Sequence, residues 1–473
     1  MDFIEPYVVA FSDLAWSYVF YLVIGGGALL LLYSRFLPFR YVRHAIDLVR
    51  GRYDDPDDPG DVSHFKALVS ALSATIGMGN ISGVAIAITT GGPGAIFWMW
   101  VSAFVGMATK FFTCSLAVMF RGRDTAGRIQ GGPMYVISEG LGGLWKPLAA
   151  LFAVAGVIGC LPLLQPNQLI QIVRDVVFAP YLSFESGHFR FDLIAGLILS
   201  GLVAVVIFGG ITRIAEVASR AVPAMVVLYM FATLWIILYN VEEVPGYLAL
   251  IVTDAFTGAA VAGGVVGTTI VTGVRRAAFS NEAGIGTEAL AHGAAKTGEP
   301  VREGLVAMMG PVIDTMIVCT CTALVILMTG VWQTTADNGV TLTASAFDAA
   351  IPGYGAYVLT VCVFFFAVTT LLTYSYYGAK CLSFLIGARY VKLYNAAYVG
   401  FVVVASVASI DTVISFADGL FALMAIPTMT STLRLAPRVM NAFRKYSASA
   451  SPGGTPAGRL RHNEVMPEKR QVC

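Results

Sequence analysis

Chemistry is concentrated first in the stretch Ala71–Gly92, ALSATIGMGNISGVAIAITTGG, where Gly77, Gly79 and Gly83 surround a polar Asn80 inside an apolar run. Gly77-Met78-Gly79-Asn80 falls near the middle of a membrane-length segment and predicts an unwound turn there. Backbone without its hydrogen bonds is tolerated at membrane depth only where it lines a protein cavity. Freed N–H groups at the start of the outer half-helix, with the helix dipole behind them, suit a carboxylate. Freed carbonyls and the Asn80 side chain suit sodium, a hard cation that takes oxygen ligands. The competing reading is close helix packing through small residues, which is common in membranes.

A second interrupted helix is expected over Ala255–Thr272, AFTGAAVAGGVVGTTIVT, which holds four glycines and four threonines and few large side chains. Interrupted segments in corresponding positions of two halves point to a transporter site. A third feature is Phe366-Ala367-Val368-Thr369-Thr370. Its hydroxyls either bond back to carbonyls of their own helix, or Thr369, Thr370 and the Phe366 carbonyl turn three oxygens towards one point. Charged residues inside apolar segments cost free energy and need a reason. Asp314, Lys110 and Glu282 are such residues, and they form either a gate network near the cytoplasmic side or static and snorkelling charges. His292 reads as a loop residue.

These groups have to be positioned by helices in lipid. The chain has 473 residues, of which 57% are hydrophobic and 12% charged, and its mean hydropathy is +0.75. Soluble domains carry about 25% charged residues, so too few charges are present to cover a water-facing surface. Apolar stretches near 14–34, 67–90, 94–119, 147–172, 191–210, 219–240, 256–274, 304–329, 354–379, 391–409 and 412–433 predict about eleven spans. The fold class expected is an all-α membrane protein. Residues 1–66 form an extra N-terminal helix and a basic segment, 67–240 a first five-helix unit, 241–435 a second, and 436–473 a disordered tail. The interrupted spans, the second and seventh, lie five helices apart, which fits an inverted repeat.

Arg35, Arg40, Arg43, Arg50, Arg52 and Lys66 follow the first span. On the same side come Arg121, Arg123, Arg128 and Lys146, then Arg213 and Arg220, then Arg275, Arg276, Lys296 and Arg302, then Lys380, Arg389 and Lys392. The opposite loops hold Arg174 and Arg190. Positive charge marks the cytoplasmic side, so the N-terminus is expected outside the cell membrane and the C-terminus inside. No cleavable leader is expected, since no basic run precedes Leu14–Leu32. A net charge of +1 without basic, aromatic-interleaved runs sets nucleic acid aside. Cys114, Cys160, Cys319, Cys321 and Cys362 lie in apolar segments and read as small buried hydrophobes. An enzyme would need converging His, Cys, Asp or Glu within the spans, and beyond Asp314 there is little. No cofactor is implied, and nothing in the residues fixes an oligomeric state.

Three strings resemble the alanine or glycine:cation symporter family: ALSATIGMGNISGVA at Ala71–Ala85, GGPGAIFWMWVSAFVG at Gly91–Gly106, and FSNEAGIGTEALAHGAAKT at Phe279–Thr297, which continues into PVREGLVAMMGPVIDTMIVCTCTALVI. The resemblance runs from about Val62 to Leu433. It implies a fold similar to the leucine-transporter (LeuT) group, a five-plus-five inverted repeat preceded by one helix. It also implies import of a small amino acid, alanine or glycine, with sodium or less often protons. By the same resemblance the backbone of Thr75, Gly77, Met78 and Gly79 holds the substrate carboxylate, and Asn80 orients that turn. Gln165, Phe256, Thr257 and Tyr374 line the pocket. Sodium is implied between Ser73, Ala74 and Ile76 on one helix and Phe366, Thr369 and Thr370 on another. The chain departs from the family pattern at Met78, usually a small residue, at Thr373-Tyr374, usually Gly-Trp, and at Ala379, usually glutamate. Met78 and Tyr374 stand where they could reshape the pocket.

Overall fold

A computed structural model describes residues 5–55, 57–182, 187–256 and 265–449. It is helical throughout, apart from a hairpin that pairs Gly122 with Gln130 and Arg123 with Ile129. Among the described residues, eight helices are long and apolar enough to cross a membrane, or nine when His64–Thr75 and Met78–Gly91 count as one bent span. Eleven were expected. The span expected at 256–274 begins on residues outside the described ones, and its described part is the 17-residue helix Val265–Asn281. The span expected at 391–409 is the 16-residue helix Val391–Ser406. At 1.5 Å per residue it reaches about 24 Å, short of the ~30 Å hydrocarbon core.

Long helices wrap the bent span because it offers little surface of its own. Nearly every side chain from Ala67 to Ile88 is buried. The inner half His64–Thr75 packs against Gly355–Ile386, Gly210–Tyr239 and the short helices Glu288–His292 and Pro300–Ala307. The outer half Met78–Gly91 packs against Val265–Asn281, Gly94–Met119 and Val340–Ala350. Outward faces are apolar in the other direction: Ile198, Val205, Val227, Phe231 and Trp235 are all exposed. Such faces are stable against hydrocarbon and not against water.

The N-terminal helix Glu5–Tyr33 lies along the long helix Ile410–Ser449. Trp16 Nε1 donates to the Asp418 carbonyl at 2.9 Å. Arg276 pairs with the Asp418 carboxylate, both side chains being buried, and Arg275 reaches Asp13 at 2.7 Å. This corrects the sequence reading of Arg275 and Arg276 as cytoplasmic-loop residues. The helix that carries them continues to Asn281, so both arginines lie inside it and find acids on neighbouring helices.

Removing one member of a buried pair strands the other's charge, at about 3–5 kcal/mol, whereas replacing both is often neutral. Arg276→Leu should therefore lower the thermal unfolding midpoint in detergent clearly. Arg276→Leu combined with Asp418→Leu should recover most of the loss. Equal losses in the single and double variants would show that the pair is not what holds these helices.

Candidate functional site

The first interruption is where the sequence places it. Ile76 still donates to Leu72 O at 2.7 Å, and the helix restarts at Met78 with a bend of 41°. Asn80 bridges the gap, its Oδ1 accepting the Gly77 N–H at 3.0 Å while its own N–H donates to Gly77 O at 3.1 Å. The amides of Met78 and Gly79, first-turn donors of the outer half, have no partner among the described residues. The buried Thr75 hydroxyl likewise has none. Glycine is required by close approach. A Cβ on Gly77 would lie 2.7 Å from Thr370 Oγ1, and one on Gly79 3.1 Å from Ser280 Cα.

The second interruption is not in the glycine-rich stretch. Gly267 lies inside the continuous helix Val265–Asn281, where small residues are tolerated in membranes. The chain turns instead at Glu282, Gly284 and Gly286, with φ of 57°, 86° and 97°. It is helical again over Glu288–His292. Asn281 stabilises the turn by accepting the Ala283 N–H at 3.0 Å. Phe279 and Ser280, and not Phe256, therefore face the first interruption. Phe256 is 54% exposed and sits against Phe97, ring centroids 4.9 Å apart. Thr257 lies outside the described residues. The string FSNEAGIG carried the missing signal, since it mixes Asn and Gly as GMGN does.

Asp314 joins the two interruptions. Its Oδ1 accepts from Asn80 Nδ2 at 2.7 Å, and its Oδ2 accepts from Ser280 Oγ at 2.5 Å and from Thr315 Oγ1 at 3.0 Å. It lies in a π-helical segment, Val312–Cys319, of the kind that recurs at functional sites. The expected gate network of Lys110, Glu282 and Asp314 is not formed by direct pairing. Lys110 is 2% exposed, and no carboxylate comes within 4.0 Å of it among the described residues. Glu282 is held by Tyr374 and Thr287, each at 2.6 Å. Hydroxyl donors there do what the ammonium was expected to do.

The third contributor is the helix Gly355–Ile386. Thr370 Oγ1 crosses to Ser73 O at 3.1 Å. Ser73 Oγ donates to Thr369 O at 3.3 Å and lies 2.8 Å from Thr373 Oγ1. Thr369 instead turns back on its own helix, to Phe365 O at 2.8 Å and Phe366 O at 3.2 Å. The two readings of the threonine pair thus divide between its members, and Thr373 joins the cluster. The donors are neutral oxygens, the set a sodium ion takes.

The description of the sodium:alanine symporter family fits residues 1–459 of this sequence. The chain belongs to that family. Among relatives, the sodium/alanine symporter AgcS of Methanococcus maripaludis is 39% identical over 457 residues, covering 94% of this chain and 98% of its own. An uncharacterized transporter of Haemophilus influenzae is 40% identical over 455 residues, covering 94% and 96%. The probable sodium/glutamine symporter GlnT of Bacillus subtilis is 32% identical over 461 residues, covering 96% and 93%. Among solved structures, MhsT in complex with L-phenylalanine matches with a TM-score of 0.57 at 11% identity, over 81% of this chain and 99% of that one. That likeness shows a shared LeuT-like fold. The protein is a multi-pass membrane transporter that couples amino-acid movement to sodium, and not an enzyme.

Other residues of interest take fixed places in this symporter. Gln165 is 3% exposed near the start of Leu164–Ile172, a helix packed against Met78–Gly91 and Gly355–Ile386. No hydrogen bond joins it to the interrupted turns among the described residues. Met78 and Tyr374 are buried beside those turns, as is Ala74.

Asp314→Asn keeps the size but turns an N–H₂ towards Ser280 or Asn80. A buried hydrogen bond to a charged group contributes about 1.5–3 kcal/mol. Substrate affinity should therefore fall about 10- to 100-fold in proteoliposome uptake or direct binding. Lys110→Met, which loses no ion pair, should stay within about threefold. Parent-level affinity in Asp314→Asn would remove Asp314 from the site.

Proposed function

We propose that the chain imports alanine or glycine by symport with sodium, moving by alternating access between two five-helix repeats, 67–240 and 241–435, that follow one extra helix. The N-terminus lies outside the cell membrane and the C-terminus in the cytoplasm, as the loop charges suggest. The observation that carries this reading is the meeting of the two interrupted spans at Gly79 and Phe279–Ser280 beside the Ser73–Thr370–Thr373 oxygens.

The unfilled amides of Met78 and Gly79 take the substrate carboxylate, with the Thr75 hydroxyl beside them. Sodium sits between the carbonyl end of His64–Thr75, at Ser73, Ala74 and Ile76, and the hydroxyls of Thr370 and Thr373, with Thr369 and the Phe366 carbonyl behind. Ion and carboxylate then share the ends of one interrupted helix, so each lowers the free energy of the other's binding. Such coupling is reciprocal. A small side chain is favoured because Met78, Phe279 and Tyr374 are 1%, 6% and 3% exposed and leave little room around the turns. AgcS, a sodium/alanine symporter, supports alanine. GlnT, a probable sodium/glutamine symporter, makes glutamine the control substrate.

Uptake of labelled alanine, glycine and glutamine into proteoliposomes, with sodium or potassium outside, tests the reading. Alanine or glycine uptake should saturate and require sodium. Thr370→Val, which keeps the shape and removes one oxygen, should raise the sodium half-saturation about tenfold, the effect of losing ~1.4 kcal/mol. Uptake indifferent to sodium would overturn the proposal.

A further inference from the structure

Away from the substrate turns, a second buried polar cluster ties the inner ends of both interrupted spans. Glu303, in the helix Pro300–Ala307, accepts His292 Nδ1 on Oε1 at 2.5 Å and His64 Nδ1 on Oε2. A carboxylate can only accept, so each imidazole carries its hydrogen on Nδ1. The three side chains are 1%, 0% and 1% exposed. His64 is the first residue of the inner half His64–Thr75, and His292 is the last of the short helix that follows the second interruption. One carboxylate therefore fastens the inner segments of both spans to a third helix.

The backbone around it closes in the same manner. Lys296 N–H donates to Val62 O at 2.6 Å and Asp61 N–H to Ala294 O at 2.9 Å. The Arg121 guanidinium donates to the carbonyls of Gly293, Pro59, Thr297 and Ala295. Nothing here touches the substrate turns, and nothing in the sequence singled out Glu303 or His64.

We infer that His64, His292 and Glu303 are positioning residues of the inner mouth, a clasp that parts when substrate and sodium leave on that side. The inference rests on the alternating-access reading above. Its physical basis is the choice of polar groups. An apolar seal of equal area loses its burial energy when water enters and strongly favours the closed form. A hydrogen-bonded seal exchanges its bonds for bonds to water, so the closed and wetted forms stay close in free energy. Reversible opening needs that closeness. The inner half-helix is also free to move apart from the outer half, since the ladder between them is already broken at Ile76–Gly77.

The test uses the full chain in lipid, with hydrogen exchange and proteoliposome uptake measured on the same variants. His64→Leu fills the volume without a donor, and His64→Asn places an amide N–H where Nδ1 was. In His64→Leu, amides of 64–75 and 288–303 should exchange about tenfold faster, while those of 340–350 stay at the parent rate. The sodium half-saturation for uptake should rise at least about threefold with the maximal rate retained, as expected when a state with weaker ion binding gains population. His64→Asn should return both readouts to within about twofold of the parent. Glu303→Gln, which keeps the side-chain volume and one carbonyl acceptor, should fall between. The clasp is overturned if His64→Leu exchanges like the parent, if its exchange rises equally in 340–350, or if His64→Asn does not rescue. These outcomes are separate from failure of the transport reading, in which the parent itself would show no change in exchange or uptake on adding sodium and alanine.

Discussion

Everything at the centre of this protein depends on a backbone that lacks its own hydrogen bonds being held in shape by one carboxylate. A polar group without a partner in a low-dielectric interior costs several kcal/mol. An interrupted span would therefore re-form its ladder or collapse unless something else filled part of the gap. Asn80 fills it from within, closing on Gly77, and Asp314 holds Asn80 at 2.7 Å. Because the same carboxylate holds Ser280 at 2.5 Å, the two interruptions are fixed against each other as well as individually. What stays unfilled, the Met78 and Gly79 amides and the Thr75 hydroxyl, is then exposed in a defined geometry.

That arrangement explains why an acid at membrane depth is compatible with binding a zwitterion and a cation. The Asp314 oxygens are already occupied by three side-chain donors, Asn80, Ser280 and Thr315, so the carboxylate acts as a fixed acceptor. Glu282 is used similarly, its oxygens taken by Tyr374 and Thr287. The oxygens near Ser73 and Thr370 are neutral by contrast. An ion there is solvated by dipoles whose orientation the helices set, and carboxylates nearby supply a favourable field without contact. Buried charge orders the backbone, and neutral groups meet the ligands.

The sequence revealed the first interruption, at residue level, because glycines flanking an asparagine have no reason to sit mid-span in a helix that only packs. The LeuT-like helical fold and the family were equally legible, from apolar run length and from three long strings. The second interruption was misplaced because glycine content was taken as the sign of a broken ladder. Gly267 shows that a membrane helix absorbs glycine when neighbours pack closely. What marks a break is glycine together with a side chain able to cap it, as Asn80 caps Gly77 and Asn281 caps Ala283. The Asp314 tie and the Glu303 cluster were hidden for another reason. Each joins residues more than two hundred positions apart, and a single sequence carries no trace of such pairs. The charge pattern misled only at Arg275 and Arg276, where acids on other helices remove the need for a water-facing position.

The outer side is closed by the same chemistry as the inner side, with different residues. Gln168 Oε1 accepts from Ser82 Oγ at 2.6 Å and from Val340 N–H at 3.0 Å, so one amide joins the outer half-helix to the helix Val340–Ala350. Thr343 Oγ1 adds a bond to Ile81 O at 3.3 Å. Each half of the first interrupted span thus carries its own hydrogen-bonded tether, Ser82 and Ile81 outside and His64 inside, while Asn80 and Asp314 hold the centre. A span cut at one point and tethered separately at each end can release one end without the other. An unbroken helix would transmit the movement of either end to both, so the interruption that forms the site also separates its two exits.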